Sequence, residues 1–503
     1  MSKLLKVLFF ILIFLSFFFA SWSVINGDLN FSSDIARDFL LFSEITEKKL
    51  VLIGPKSSVM GLFHGPLWLY LNYPAYVIGN GNPLVVGMWW VILIALFSAI
   101  VFYVTKKLFD KTSAYLATLL VTLYVSFHGA TFFNPIGAMF TIPIFFYSFI
   151  QYLKTGKAKY LIIHAISLGV IIQFEMAIGI PFTILSFLYL FIKILRSTKK
   201  KHLLLLLTIL IPLSNYLLFD LRHDFLLTNS VLRYISPESG NSVKYNYLFM
   251  LYDRFHLMIS QVEFVRPDPN FRNLIATLVF IFFLVIQLKN KKYRQIYLSF
   301  LYFFVGFFIL TLINKGPVLY FYLIPQFPLV FIMFSSFSSS QYKKIFIAVF
   351  AIIYLLNLQT AFTDLNNSAK TRGVSEASWK FLNQMSQKVF SGSEKKFGYF
   401  VYTPDIIGYG PKYALQYQQK INKDKKASFL TKQKVTYIVV APPAIDNPYL
   451  SYTWWKEERI KITKSPVVTY TFPNGYKIEK YVLTDEEIKV DFDRGVDPGL
   501  SFR

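Results

Sequence analysis

Eleven times this 503-residue chain runs apolar for about the length that crosses a bilayer. The first run, Val7 to Ala20, follows Lys3 and Lys6; the others begin near Leu84, Ser113, Phe132, Tyr160, Met176, Leu203, Asn273, Gln295, Pro317 and Lys344. Runs of roughly 17 to 21 residues each suffice for a ~30 Å hydrocarbon core. The opening run reads as a membrane helix and not a cleaved leader, because Phe18 stands where cleavage after Ala20 would want a small residue. With 54% hydrophobic and only 16% charged residues, against about 25% charged in soluble proteins, the chain is excluded as a cytosolic enzyme. Its net charge of +24 lies, outside the C-terminal tail, mostly in short loops between apolar runs. That is a topology signal and not a nucleic-acid surface. The absence of cysteine and the presence of only six histidines leave no disulfide framework, no thiol chemistry and little for a metal site, so no metal cofactor is expected.

The basic clusters fix the expected orientation. Lys3/Lys6, Lys106/Lys107/Lys111, Lys154/Lys157/Lys159, Lys193 to Lys201, Lys289 to Arg294, and Lys343/Lys344 all face the cytoplasm only if Leu62 to Gly79 does not span. That segment carries Pro66 and Pro74, which suit a broken or interface-lying helix. The expectation is eleven spans of a plasma-membrane protein, with the N-terminus cytoplasmic and the C-terminal domain extracytoplasmic. Tyr160 to Leu195 as one helix would run about 53 Å at ~1.5 Å per residue, so it must be a hairpin, its tip near Gln173 to Gly179 and Glu175 at the outer mouth. Residues 1–362 form the membrane domain, with outer loops 26–83 and 220–272. Residues 363–503 read as a small α/β module: a helix over Ser375 to Val389, a strand over Val435 to Ala441, and a hairpin across Asn474-Gly475.

Polar residues that could carry chemistry gather in the outer loops. In NFSSDIARDFLLF, Ser33 can cap a helix on which Asp34, Arg37 and Asp38 share a face while Ile35, Phe39 and Phe42 form an apolar stripe. Such a helix would present a carboxylate just above the hydrocarbon; the alternative is a solvated surface pair. His64 stands beside Gly65 and Pro66, where a structural role competes with a binding one. Asp220, Arg222, His223 and Asp224 crowd one helix end; Arg222 there is either a phosphate ligand or an interface marker. Lys315 is the one basic residue of a short outer loop, followed by Tyr320 and Tyr322, which also fit an interface belt. Glu175 is a carboxylate in an apolar hairpin and needs a polar partner, Gln173 or a helix end among the candidates. Asn134-Pro135 reads as a loop breaker.

Taken in order, these features resemble the GT-C class of integral-membrane glycosyltransferases, the relatives of protein mannosyltransferases and the aminoarabinose transferase. The sequence pieces that carry the resemblance are Ser33 to Asp38, Phe63 to Pro66 with the following Leu67-Trp68, and Asp220 to His223, within residues 1 to about 362. It implies a polytopic α-helical membrane fold and transfer of a sugar from a polyprenyl-phosphate donor to a hydroxyl acceptor, with membrane lipid as the setting. It implies Asp34 as general base. Ile35 stands where the family has a second acid, so that role falls to Asp38 or is absent. Family members commonly carry Lys or His near the hairpin tip; Glu175 in that place moves the expected donor-phosphate contacts to Arg222 and Lys315. The wider substrate-binding set is Arg37, His64, Glu175, Arg222, His223, Lys315, Tyr320 and Tyr322. The competing reading, a transporter or flippase, calls for matched halves and mid-bilayer ionisable groups. A third, a scaffold whose tail binds glycan, would use Tyr399, Tyr402, Tyr409, Tyr413 and Tyr417.

Overall fold

The computed structural model describes residues 3–129, 131–235, 246–260, 271–313, 318–392, 394–405, 407–442 and 451–496. All eleven apolar runs are helical. They are α1 (Lys3–Ile25), α4 (Pro83–Leu108), α5 (Lys111–Ser126), α6 (Asn134–Thr155), α7 (Ala158–Phe174), α8 (Met176–Leu195), a 3-10 stretch Lys200–Ile209 running into α9 (Leu210–Arg222), α12 (Phe271–Leu288), α13 (Arg294–Thr311), a 3-10 turn at Tyr320–Tyr322 leading to α14 (Phe327–Ser335), and α15 (Lys343–Thr371). Among the described residues, eight of these segments are long and apolar enough to cross a membrane; α5, α7 and α12 do not meet that measure. Exposed Leu4, Phe10 and Phe14 on α1 and Ile184, Leu188 and Phe191 on α8 are the surface that lipid would cover.

Outside the apolar runs lie α2 (Ser33–Lys48), α3 (Leu67–Ile78), α10 (Leu226–Ile235) and α11 (Tyr247–Ser260). Helix α3 has 12 residues, with Pro74 inside it; at ~1.5 Å per residue it is about 18 Å long and cannot span. The hairpin breaks where its length demands: α7 ends at Phe174, α8 begins at Met176, and Glu175 is the single residue between them, with extended backbone.

The C-terminal region is α/β. Helices α16 (Trp379–Phe390) and α17 (Tyr409–Ile421) accompany strands β1 (Lys396–Tyr402), β2 (Lys426–Phe429), β3 (Val435–Val440), β4 (Val468–Thr471) and β5 (Lys477–Val482). The sheet order is β2-β1-β3-β5-β4; β1 runs parallel to β2 and β3, while β5 is antiparallel to β3 and β4. The expected hairpin is the β4–β5 pair, with Thr471 opposite Lys477 and Gly475 at φ 88° in its turn, a value that favours glycine. Side chains alternate across the sheet. Phe397, Tyr399 and Val401 join the core that continues into the membrane domain, whereas Phe400 and Tyr402 face a second core with Ile438, Trp455 and Tyr481. Tyr399, Tyr402 and Tyr413 are buried packing residues, so they present no sugar-stacking face. Two helix starts differ from expectation. Helix α16 begins at Trp379 because Ser378 caps it, its Oγ accepting from the Phe381 N–H. Ser33 is already helical in α2, whose N-cap is Ser32 without a side-chain cap bond.

Candidate active site

Helix α2 carries the acidic motif on one face and the apolar stripe on another, as a 3.6-residue period requires. Ile35, Phe39 and Phe42 are buried within the protein: the Phe39 ring lies 5.1 Å from that of Tyr413 in the C-terminal domain, and the Phe42 ring 5.3 Å from that of Tyr76 in α3. On the other face Arg37 bridges both carboxylates, Nη1 donating to Asp34 Oδ1 at 2.5 Å and Nη2 to Asp38 Oδ1 at 2.9 Å. The two pairs are unlike. Asp34 is 52% exposed while Asp38 is 4% exposed, so the solvated-pair alternative fails for Asp38. The free oxygen of Asp38 accepts from Trp68 Nε1 at 3.0 Å, which joins α2 to the start of α3. Burial lifts the Asp38 carboxyl to about 6, and Arg37 recovers only part of that. Burial alone would lower Arg37, but the two carboxylates outweigh it and keep it charged.

The loop before α3 is seated against the hairpin tip. The Gly65 N–H donates to the Gln173 carbonyl at 2.9 Å, and a Cβ at position 65 would lie 1.7 Å from Gln173 Oε1, so a larger residue would displace the Gln173 amide. Gln173 in turn donates to the Pro212 carbonyl and to Asn215 Oδ1, and Asn215 donates to the Leu52 carbonyl. Three segments far apart in sequence are thus tied by two side-chain amides. His64 is held by its backbone, donating to the Pro55 carbonyl and accepting from the Gly54 N–H. Its Nδ1 is buried with no partner among the described residues. Burial first, and the charge of Arg37 second, push its pKa down to about 3, so its imidazole is neutral at physiological pH.

Glu175 is 2% exposed, not open at a mouth. It does not pair with Gln173. It caps α8, Oε1 accepting from the Ala177 N–H at 3.2 Å, and meets Asn134 Nδ2 at 3.4 Å. Asn134 also donates to the Phe174 carbonyl at 2.9 Å, so it fastens the tip as well as starting α6. Burial raises the Glu175 pKa to about 8, the Ala177 N–H offsets part of that, and the charge of Asp34 adds to it. Tyr322 is half-buried in the 3-10 turn before α14, whereas Tyr320 packs near Phe327 with ring centroids 6.3 Å apart.

The helix-end cluster divides. Asp220 is structural: its carboxylate accepts from the Leu227 and Thr228 N–H groups and the Thr228 hydroxyl, joining α9 to α10. His223 stacks on Phe219 at 4.1 Å, with Nδ1 2.8 Å from the Phe219 carbonyl. Arg222 is exposed at the last turn of α9. Lys315 lies outside the described residues. Sequence reasoning missed Trp68 as the Asp38 partner, and Asn134, Gln173 and Asn215 as fasteners. For the three amides the one signal was their presence in apolar segments, where an unsatisfied polar group is costly. No three His, Asp or Glu side chains come together in a metal-holding group among the described residues.

No protein-family model matches the chain, and no curated protein matches it. Solved structures do. ArnT from Cupriavidus metallidurans in the apo state aligns with TM-score 0.59 at 10% identity, over 94% of this chain and 97% of that one. ArnT from the same organism bound to undecaprenyl phosphate aligns with TM-score 0.56 at 11% identity, over 95% and 98%. The Archaeoglobus fulgidus oligosaccharyltransferase in the apo form aligns at TM-score 0.47 and 12% identity, over 85% of this chain and 65% of that one. The likeness is one of fold. The chain is a multi-pass α-helical membrane protein of GT-C architecture with a small C-terminal α/β domain.

Proposed function

We propose that this protein is a membrane glycosyltransferase that moves a sugar from a polyprenyl-phosphate donor to a hydroxyl acceptor, with Asp34 as the general base. One observation carries the reading: Asp34 is the open carboxylate of a triad in which Asp38 is buried and held by Trp68, and the half-buried Arg37 bridges the two acids. A base must reach its acceptor, and of the two carboxylates only Asp34 is accessible. A structural neighbour across nearly the whole chain was solved with undecaprenyl phosphate bound, which supports a lipid-linked donor. The charge pattern of the loops supports a site on the outer face of the plasma membrane, with the N-terminus cytoplasmic.

In this scheme Asp34 takes the acceptor O–H proton as the acceptor oxygen attacks the anomeric carbon. The bond from that carbon to the phosphate oxygen breaks, and the polyprenyl phosphate leaves with the electron pair. Arg222, at the end of the α9 helix that Gln173 ties to the hairpin tip, is the cation proposed for the developing phosphate charge. His64, a neutral, half-buried hydrogen-bonding group, is proposed to meet a polar group of the substrate. The scheme calls on no metal, because a phosphate is already a competent leaving group. Purified protein offered a panel of polyprenyl-phosphate sugars with a crude membrane acceptor is expected to release free polyprenyl phosphate. Folded protein that releases none from any donor would overturn the reading.

Glu175 sets an expected upper pH limit. As its pKa is raised to about 8, the side chain is neutral below that and ionises above it. A second negative charge then forms in the environment of Asp34, where the donor's phosphate is proposed to sit. Turnover is expected to fall as pH rises through about 8, and Glu175→Gln is expected to flatten that limb while leaving the acid side of the profile in place. A Glu175→Gln profile identical to wild type would remove Glu175 from the scheme.

A further inference from the structure

What decides where Asp34 stands is the way the chain enters α2. Ser32, at the N-cap, is extended and makes no side-chain cap bond, so this helix start is not fixed by the local device that fixes most. It is fixed from the far end of the chain. Asp28 is 7% exposed and accepts four hydrogen bonds. Oδ1 takes the Leu29 and Lys380 N–H groups at 2.8 and 3.0 Å, and Oδ2 takes the Ser378 hydroxyl at 2.7 Å and the Gly373 N–H at 3.3 Å. Three of the four donors belong to the turn after α15 and the start of α16. Beside them, the Phe31 N–H donates to the Ala377 carbonyl and the Trp379 N–H to the Leu29 carbonyl, with Asn30 opposite Ser378 in an antiparallel bridge. The Phe31 ring is then buried between Phe39, Trp379 and Tyr413, at 5.1, 5.1 and 5.6 Å.

A carboxylate suits this junction for a physical reason. It offers about four lone-pair positions and no donor, matching four donors, and bonds to an ionised acceptor are roughly twice as strong as neutral ones. An amide in its place would turn an NH2 toward donors. From Asp28 to Asp34 the chain spans at most about 21 Å, most of it clamped at one end by this junction and at the other by the Asp38 bond to Trp68.

We propose that Asp28 is a positioning residue for the transfer reaction. By gripping residues 373–380 it sets the line on which α2 leaves, and so the place of Asp34 and Arg37 over the hairpin tip; the proposal rests on the transferase reading above. It gives the C-terminal domain a role in forming the site. A misplacement of ~1 Å at a reacting group can reduce rate about 100-fold.

The test uses the full-length protein and two readouts. Asp28→Asn is expected to lower kcat about 10- to 100-fold with the donor KM changed less than about 3-fold, because the donor does not touch Asp28. Hydrogen exchange at the amides of residues 29–37 is expected to rise while the β-sheet stays protected. If Asp28→Asn fails to fold, Ser378→Ala, which removes one donor, is read the same way with a smaller effect. Lys380→Ala should match wild type, because Lys380 contributes only its backbone. Unchanged exchange over 29–37 would overturn the proposal, and so would raised exchange with normal kcat. If wild-type protein releases no polyprenyl phosphate from any donor, the transferase reading fails, and the exchange data alone decide whether Asp28 fixes α2.

Discussion

Asp34→Asn is expected to lower the release of free polyprenyl phosphate by about 10² to 10⁴, the range that a positioned general base supplies. The protein should fold as before. Asp34 is half exposed and its bond to Arg37 is a surface ion pair on one side, of a kind worth about 0 to 1 kcal/mol; asparagine keeps an oxygen for the guanidinium. The loss should therefore appear in kcat, with donor KM and thermal unfolding close to wild type. Turnover that survives the substitution within a few-fold would remove Asp34 as base, whatever else the protein does.

Arg37→Ala is expected to do the reverse, acting first on stability. It strands Asp38, whose carboxylate is almost wholly buried and has Trp68 as its other hydrogen-bonding partner. Removing one member of a buried pair typically costs about 3 to 5 kcal/mol. The pH dependence has a definite sign. The folded pKa of Asp38, about 6, already lies above its ordinary value of 3.8, so the folded state holds that proton more tightly than the unfolded state. Stability therefore falls as pH rises from about 4 to about 6, and the deficit persists above that. Without Arg37 the carboxyl must rise further. The destabilisation should be largest at neutral pH and shrink in acid, read by thermal unfolding of the purified protein between pH 5 and 8. Adding Asp38→Asn to Arg37→Ala should recover most of the lost stability without recovering turnover. A double variant no more stable than Arg37→Ala would show that the buried charge is not the cause.

The parts of the molecule that were legible in sequence are those written in local periodicity. Apolar runs placed the membrane helices, excess length made a hairpin of residues 160–195, prolines at 66 and 74 kept α3 short, and Asn474-Gly475 announced the β4–β5 turn. The Asp34–Arg37–Asp38 grouping was legible because its members lie one helical turn apart. What was not legible depends on partners hundreds of positions away. Ser375 and Ser378 are equally good caps on paper; Ser378 is chosen because its hydroxyl also reaches Asp28. Asn134 looked like a loop breaker because nothing local says that its amide will meet Phe174 and Glu175. The apolar face of α2 looked ready for lipid because part of its cover, Tyr413 against Phe39, lies in another domain.

The junction at Asp28 has a consequence in time. Its three distant donors lie 345 to 352 residues further along the chain. At ~5 to 20 residues per second of synthesis, about 17 to 70 s pass between the emergence of Asp28 and that of its partners. Through that interval Phe31 and Phe39 have no Trp379 or Tyr413 to pack against, and α2 is held by its contacts with α3 alone, without the Asp28 junction at its start. If Asp28 acts as proposed, the membrane helices can insert in order while the acidic motif stays unfinished, and a chain interrupted before residue 373 would be a membrane protein without a formed site. On that reading, completion of the last quarter of the polypeptide is what arms the first.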